Sequence, residues 1–284
     1  MRYEPMKYAD GGMSKVDRLA ANPDWVFEQK MDGTRGMAVI THDRPVWWPG
    51  RGGRGALAHT AATQHLPAIN AAIQKIVGGT PALMVLDGEI MTGTGEYHVW
   101  DIPYLRINTV EVIRNEDTWA ARHAALEELD KQGVLADSPV KIVRVARTAE
   151  EKAALLDAVA REGGEGLVAK HVKSVYKPGE RTEAAVKIKF VKTADVIVLR
   201  QTRQPTNSIE FGVMGPDGTS IVKVGACSGI GRPTLEPGQV IEIEYLYFTD
   251  GKVVYQPRMK QIRTDKEAID CDLRQFRSYS RRAV

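Results

Sequence analysis

The stretch Trp25-Val26-Phe27-Glu28-Gln29-Lys30-Met31-Asp32-Gly33-Thr34-Arg35-Gly36-Met37-Ala38-Val39-Ile40 decides how this chain is read. Val26 and Phe27 lead in, Asp32-Gly33 is a turn dipeptide, and Met37 to Ile40 lead out, so residues 25–40 read as strand, turn, strand. Lys30, Asp32 and Arg35 are thereby gathered at a turn between two apolar arms.

Working outward, residues 46–55 hold four glycines and two arginines and read as a Gly-rich loop. Leu66, Ile69, Ile73 and Val77 repeat at helical spacing within 59–77, and Gly78-Gly79 ends that helix. Strands are expected at 82–91 and 97–105, and helices at 117–132 and 149–162. Thr148 is the expected N-cap of the last helix, with Glu151 at the capping-box position. Strands return at 166–170 and 185–191.

Beyond Lys192 the helical patterns stop. Short β-rich runs at 195–202, 208–214, 219–226, 239–248 and 252–258 are separated by Gly215-Pro216-Asp217-Gly218, Pro237-Gly238 and Asp250-Gly251. Five short strands in under a hundred residues fit a small barrel of the OB type. The boundary falls near 190–193, giving an α+β domain over 1–191 and an all-β OB-fold barrel over 192–284.

The chain has 284 residues, 43% apolar and 26% charged, which is ordinary for a globular protein with two cores. No apolar run approaches the roughly 20 residues that span a bilayer. The N-terminus lacks an apolar leader, so a soluble cytoplasmic protein without membrane association is expected. Cys227 and Cys271 are read as reduced thiols, and the absence of a Cys-x-x-Cys pair excludes a zinc ribbon. His42, His59, His65, His98, His123 and His171 show no paired metal spacing. The net charge is +3, but residues 274–284 carry four arginines and no acid, which suits a polyanion.

Further motifs accompany Lys30-Met31-Asp32-Gly33-Thr34-Arg35. Asp87-Gly88-Glu89 follows an apolar strand, Glu165-Gly166-Leu167-Val168-Ala169-Lys170 follows a helix, and Lys187-Ile188-Lys189 lies in a strand. Arg258, Arg263, Asp265 and Lys266 cluster near the end. Residues two apart in a strand face the same way. Lys187 and Lys189 therefore share a face, as do Asp87 and Glu89, while Val186, Ile188 and Phe190 face a core.

In this order, from Glu28 to Lys266, the motifs resemble those of the covalent nucleotidyltransferases: DNA ligases, RNA ligases and mRNA capping enzymes. They are most similar to minimal ATP-dependent DNA ligases, a nucleotidyltransferase (adenylation) domain followed by an OB-fold. That resemblance implies that Lys30 takes AMP from ATP and that nicks in double-stranded DNA are then sealed. A lysine amine attacks only when neutral, and at an ordinary pKa near 10.4 it is mostly protonated at pH 7. Lys187, Lys189 and Arg35 would supply positive charge around it and on the attacked phosphate.

The resemblance further implies that Glu165 binds Mg²⁺, with Mn²⁺ as a substitute, and that Glu89 contacts the ribose. Asp32 would assist the 3′-hydroxyl and share in metal binding. Glu28, Lys170 and Arg35 would contact the nucleotide, and Trp100, in Val99-Trp100-Asp101-Ile102-Pro103-Tyr104, would stack on adenine. Arg51 would bind the 5′-phosphate, although Gly50 stands where a serine is usual and Arg54 competes. Ala185 stands where a tryptophan is frequent. Arg258, Arg263 and Lys266 match the last motif, which orients the pyrophosphate and then swings away on a hinge near Lys192 to Asp195. A monomer is expected.

The nearest alternative is an RNA ligase, which shares the first five motifs. Glu165-Gly166 argues against a capping enzyme, which usually has aspartate there, and the missing N-terminal and zinc modules argue against an NAD⁺-dependent ligase. A catalytically silent nucleic-acid binder is the alternative from another class.

Overall fold

The computed structural model describes residues 3–276 except 51, 52, 54, 79, 81, 133, 134, 136, 204, 205 and 250. The chain divides into two compact units, Met1–Lys189 and Phe190–Arg282. In the first unit the elements run β1 (Lys7–Gly11), α1 (Val16–Ala20), β2 (Trp25–Gln29), β3 (Thr34–Thr41), β4 (Arg44–Trp47), α2 (Thr60–Thr63), α3 (Leu66–Val77), β5 (Ala82–Ile90) and β6 (Tyr97–Ile107). They continue through β7 (Val110–Ile113), α4 (Trp119–Lys131), β8 (Val140–Ile142), β9 (Val145–Ala146), α5 (Ala149–Arg161), β10 (Gly166–His171) and β11 (Arg181–Lys189).

Two sheets result. One has the order β1-β11-β10-β2-β9, and the other β4-β3-β5-β6-β7, with β8 parallel to β6. The strand-turn-strand expected at 25–40 is present, with β2 and β3 in different sheets and the turn carrying the chain from one to the other. A buried cluster that includes Met6, Tyr8, Val168 and Ala185 with Met37, Val39, Val85 and Tyr104 joins these sheets. The other parity of β3 and β5, Ala38, Ile40, Met84 and Leu86, packs on Ile69, Ile73 and Val77 of α3. Burial of each such aliphatic side chain contributes roughly 1.5–3 kcal/mol.

Local chemistry explains the ends. The single helix expected over 59–77 is two, α2 and α3, because Pro67 has no N–H to bond the Thr63 carbonyl one turn back. Gly78, at φ 55°, closes α3 in the left-handed conformation. Thr148 and Glu151 form the expected capping box on α5. β4 occupies 44–47, so the irregular loop begins later than the glycine count suggests.

In β6, register shifts against β5 leave Trp100 as an extra residue between Val99 and Asp101, and a second shift falls at Ile102-Pro103. Bulges re-aim side chains, and proline suits one because it has no N–H for the ladder. Asp101 then meets Arg122 of α4 in a buried bidentate pair, at 2.7 and 3.0 Å. Arg122 also donates to the carbonyls of Asp117 (2.6 Å) and Ser174 (3.1 Å). Burial alone raises the Asp101 carboxyl pKa, yet the Arg122 charge and hydrogen bonds outweigh it and hold that group below the usual carboxylate range.

The second unit holds β12 (Lys192–Thr202), β13 (Ser208–Met214), β14 (Ile221–Ser228), β15 (Val240–Tyr245) and β16 (Arg258–Ile262), in the antiparallel order β14-β13-β12-β15-β16. Val196, Val198, Phe211, Val213, Val224, Ile241 and Ile243 form its core. The last strand is not at 252–258. Lys252 and Gln256 have positive φ, Pro257 cannot donate, and only an isolated bridge, Val254 to Phe248, forms there. Residues 192–195, expected as a hinge, are strand residues paired with β15, so the unpaired residues between β11 and β12 are Phe190 and Val191. Cys227 and Cys271 are free and buried. Among the described residues no helix is long and apolar enough to cross a membrane.

Replacing Arg122 by Met should destabilise the protein by about 3–5 kcal/mol, because Asp101 would remain buried without a counter-charge. Urea unfolding monitored by tryptophan fluorescence measures this. A loss below about 1 kcal/mol would show that the pair is not the tie between α4 and β6.

Candidate active site

The site is built on cross-strand register. Lys187 of β11 lies beside Val168 of β10, which lies beside Glu28 of β2. On the far side of Lys187 stands Asp10 of β1. One row across four strands therefore presents Asp10, Lys187, Val168 and Glu28 on a single face. The neighbouring row, Ala9, Val186, Ala169 and Phe27, is buried on the opposite face. Gly166 pairs with Lys189, and its carbonyl accepts from the Lys30 N–H at 2.9 Å. Lys30 and Lys189 therefore flank the same glycine.

Gly166 has φ 145°, and a Cβ there would lie 2.0 Å from the Ile188 carbonyl oxygen. Only glycine fits, and the close approach holds Glu165 at the strand's start. Glu165 is 3% exposed and accepts from both Lys30 and Lys189, the latter at 3.3 Å. Lys187 pairs with Asp10 at 3.0 Å, which holds Asp10 below the usual carboxylate range.

From the facing sheet come Arg35 and Glu89, opposite one another on β3 and β5, and Trp100. Arg35 is clamped by Asp87, Nε to Oδ1 at 3.0 Å and Nη2 to Oδ2 at 2.6 Å. The Tyr176 hydroxyl donates to the same carboxylate at 2.7 Å. The guanidinium carbon sits 5.0 Å from the Tyr8 ring centroid and 5.5 Å from that of Trp100. Lys170 lies 5.8 Å from both ring centroids; it donates to Glu28 at 3.0 Å and to the Trp100 carbonyl at 3.3 Å. Glu89 accepts from the Gly33 N–H at 3.2 Å.

These groups surround a cavity of about 220 Å³ lined by Tyr8, Glu28, Gln29, Lys30, Met31, Arg35, Glu89, Trp100, Val168 and Lys187. Tyr8 and Trp100 give the lining aromatic surface, Val168 gives it aliphatic surface, and Lys30 is on it. An aromatic and aliphatic lining with charged groups at hand suits a flat heterocycle that carries a phosphate. Burial pushes Glu28 up to about 7 against the pull of Lys170, and pushes Glu89 up to about 7 against the pull of Lys30.

Of the expected site residues, Lys30, Glu28, Arg35, Glu89, Trp100 and Lys187 line this cavity, Lys170 and Glu165 contact its lining, and Lys189 contacts Glu165. Asp32 is half-buried in the connection between the sheets. Arg51 and the competing Arg54 lie outside the described residues, as does most of the basic tail. Among the described residues no three His, Cys, Asp or Glu side chains are gathered as a metal cage.

Arg263, Asp265 and Lys266 meet within the second unit. Arg258 stands at the opposite end of β16, roughly 16 Å away at the rise of a strand, so it is not part of that cluster. Tyr8, Asp10, Asp87 and Asp195 join these clusters without being among the site residues expected from the sequence. Asp87 was legible from its alternation with Glu89. Tyr8 and Asp10 reach the site only through the parallel pairing of β1 with β11, for which nothing local signals.

Residues 94–189 match the family model described as the ATP dependent DNA ligase domain. The ligase domain of M. tuberculosis LigD is similar over 95% of this chain and 98% of its own, with 20% identity and a TM-score of 0.53. A mycobacterial DNA ligase D complexed with ATP and MES has the same coverage and identity, with a TM-score of 0.54. A structure of the Lig E DNA ligases covers 92% of this chain and 99% of its own, with 16% identity and a TM-score of 0.57. The chain has the fold of an ATP-dependent DNA ligase. No curated protein matches it.

Within this ligase fold, the raised Glu89 carboxyl predicts a pH signature. Its folded pKa lies above the unfolded value, so the native state holds the proton more tightly and loses stability as pH rises from 4.5 to about 7. A Glu89→Gln variant lacks this term. Its stability relative to the parent should therefore improve across that window and level off above it, measured by urea unfolding at stepped pH. A constant difference between pH 4.5 and 8 would exclude a raised Glu89.

Proposed function

We propose that this chain is an ATP-dependent DNA ligase that seals nicks bearing a 5′-phosphate and a 3′-hydroxyl. The observation that carries this reading is the position of Lys30 on the lining of an aromatic-walled cavity, with Glu165, Lys187 and Lys189 around it. Lys30 Nζ attacks the α-phosphorus of ATP, the bond to pyrophosphate breaks, and a lysyl-AMP forms. The 5′-phosphate of the nick then attacks that AMP and frees Lys30, giving a DNA-adenylate. Attack by the 3′-hydroxyl, assisted by Asp32, expels AMP and closes the strand.

The arrangement supports this division of roles. Lys187 and Lys189 approach from a neighbouring strand and counter the charge that grows on the attacked phosphate. Trp100 stacks on adenine, Glu89 binds the ribose, and Arg35, held by Asp87, contacts the nucleotide and the DNA end. Glu28 and Lys170 brace the base end of the cavity. Glu165, a buried carboxylate that contacts Lys30 of the lining, fits Mg²⁺, which favours one or two carboxylates together with substrate oxygens and water. When bound, the ion would neutralise phosphate charge; Glu165 and Asp32 would hold it, and Mn²⁺ would replace Mg²⁺.

The second unit acts as an OB-fold in this reading, with Arg263 and Lys266 orienting the pyrophosphate leaving group and Arg258 contributing to the nucleotide. Arg51 binds the 5′-phosphate. The DNA partner is a nicked duplex gripped by phosphate contacts, which makes binding strongly dependent on salt, and the enzyme works as a monomer.

The test is sealing of a singly nicked, 5′-phosphorylated duplex with ATP and Mg²⁺. Activity should vanish in Lys30→Ala. Uptake of AMP by the protein without closure of the DNA nick, together with closure of a matched RNA nick, would overturn the substrate and leave the lysine chemistry standing. In a separate arm, Arg263→Ala and Lys266→Ala should lose protein adenylation while sealing a nick that already carries AMP at a near-normal rate. Equal loss of both steps would end the division of labour assigned to them.

A further inference from the structure

Asp195, near the start of β12, is buried at 6% exposure. Its carboxylate accepts from Arg263 Nη1 at 3.0 Å through one oxygen and from Lys266 Nζ at 2.5 Å through the other. Its own backbone is tied to one side chain, Gln275: the Asp195 N–H donates to Gln275 Oε1 at 2.9 Å, and Gln275 Nε2 donates to the Asp195 carbonyl at 3.1 Å. Asp265 also pairs with Arg263, at 2.8 Å through two bonds, but it is 66% exposed. Asp195 is thus the buried acid on which both cations converge.

The neighbours on the sheet make this placement costly without a compensating charge. Asp195 stands directly opposite Glu242 of β15, and like charges facing across an antiparallel pair destabilise it. Glu242 is answered by Lys260 at 3.2 Å and Gln261 at 2.7 Å, and Asp195 by Arg263 and Lys266. The four described bonds of Arg263 and Lys266 use three of the five guanidinium N–H groups and one of the three ammonium ones. Each cation is therefore oriented while retaining donors that those bonds do not use. The Asp195 hydrogen bond also raises the Lys266 pKa above its ordinary value, so the ammonium stays charged.

We propose that Asp195 is the positioning residue that holds Arg263 and Lys266 in the one arrangement from which they act on the pyrophosphate of ATP. This rests on the role given to those two residues under the proposed function. Asp195 touches no reactant; it works by removing the rotational freedom of two long side chains, so that their donors arrive together.

The experiment compares Asp195→Asn, Arg263→Ala and the double variant in the full chain. One readout is single-turnover formation of the protein–AMP adduct over a range of ATP concentrations with Mg²⁺. The other is sealing of a nicked duplex that already carries AMP on its 5′-phosphate. Asp195→Asn keeps the size and one acceptor oxygen, and thermal unfolding checks that the variant is folded. Adduct formation in Asp195→Asn should slow by about 10- to 100-fold, as expected for misplaced catalytic groups, while sealing of the adenylated nick stays within about twofold. The double variant should lose less than the product of the two single losses, because part of the Asp195→Asn effect is exerted through Arg263 and the rest through Lys266. Unchanged adduct formation in Asp195→Asn beside slow formation in Arg263→Ala would overturn the inference and leave the role of Arg263 intact. Equal loss of both readouts with a lowered melting temperature would overturn it in favour of a purely structural aspartate. Normal adduct formation in Arg263→Ala would instead remove the role on which the inference rests.

Discussion

The antiparallel registers of β2 on β10 and of β10 on β11 are the constraint on which the site depends. They place Glu28, Val168 and Lys187 in one row and bring Gly166 between Lys30 and Lys189. A slip of one residue would turn every one of these side chains to the other face and expose Phe27, Ala169 and Val186. The hydrophobic penalty for exposing that row thus keeps the charged row aimed at the cavity. Gly166 locks the pairing, since any side chain there would collide with the Ile188 carbonyl.

Around this frame, charge is buried in pairs. Glu28 with Lys170, Asp87 with Arg35 and Asp101 with Arg122 each combine a desolvated carboxylate with a cation from another element. Such pairs add little net stability over apolar residues of similar size, because desolvation offsets most of the attraction. What they contribute here is geometry. Arg35 is held by two bonds to Asp87, with a third from Tyr176 steadying the carboxylate, and the strand that carries Trp100 is tied to α4 beside its bulge. Asp195 with Arg263 and Lys266 repeats the device in the second unit, independently of the first.

Much of this was legible in the order of residues. Period-two alternation in Asp87-Gly88-Glu89 and Lys187-Ile188-Lys189 assigns a polar and an apolar face before any partner strand is known. The cap at Thr148 and the glycine stop at Gly78 are local chemistry, and both helices end where those residues direct. Where the reading failed, a single residue or a long-range pairing had the deciding influence. Pro67 splits one expected helix, and positive φ at Lys252 and Gln256 delays the last strand to 258–262. β2 and β3 are the strands expected at 25–40, and what local pattern does not tell is that they part into separate sheets with only four residues between them.

The sequence by itself determined which residues are proposed to carry the chemistry, through motifs that resemble those of the nucleotidyltransferases, and strand periodicity set which of them share a face. Only the tertiary structure decided what stands beside them. β1 brings Tyr8 and Asp10 to the cavity by pairing with a strand some 170 residues away, the bulge turns Trp100 inward, and Arg263 and Lys266 converge on Asp195 from about 70 residues downstream. Contacts of that separation are selected by the joint burial of whole faces, which no local window of the chain contains.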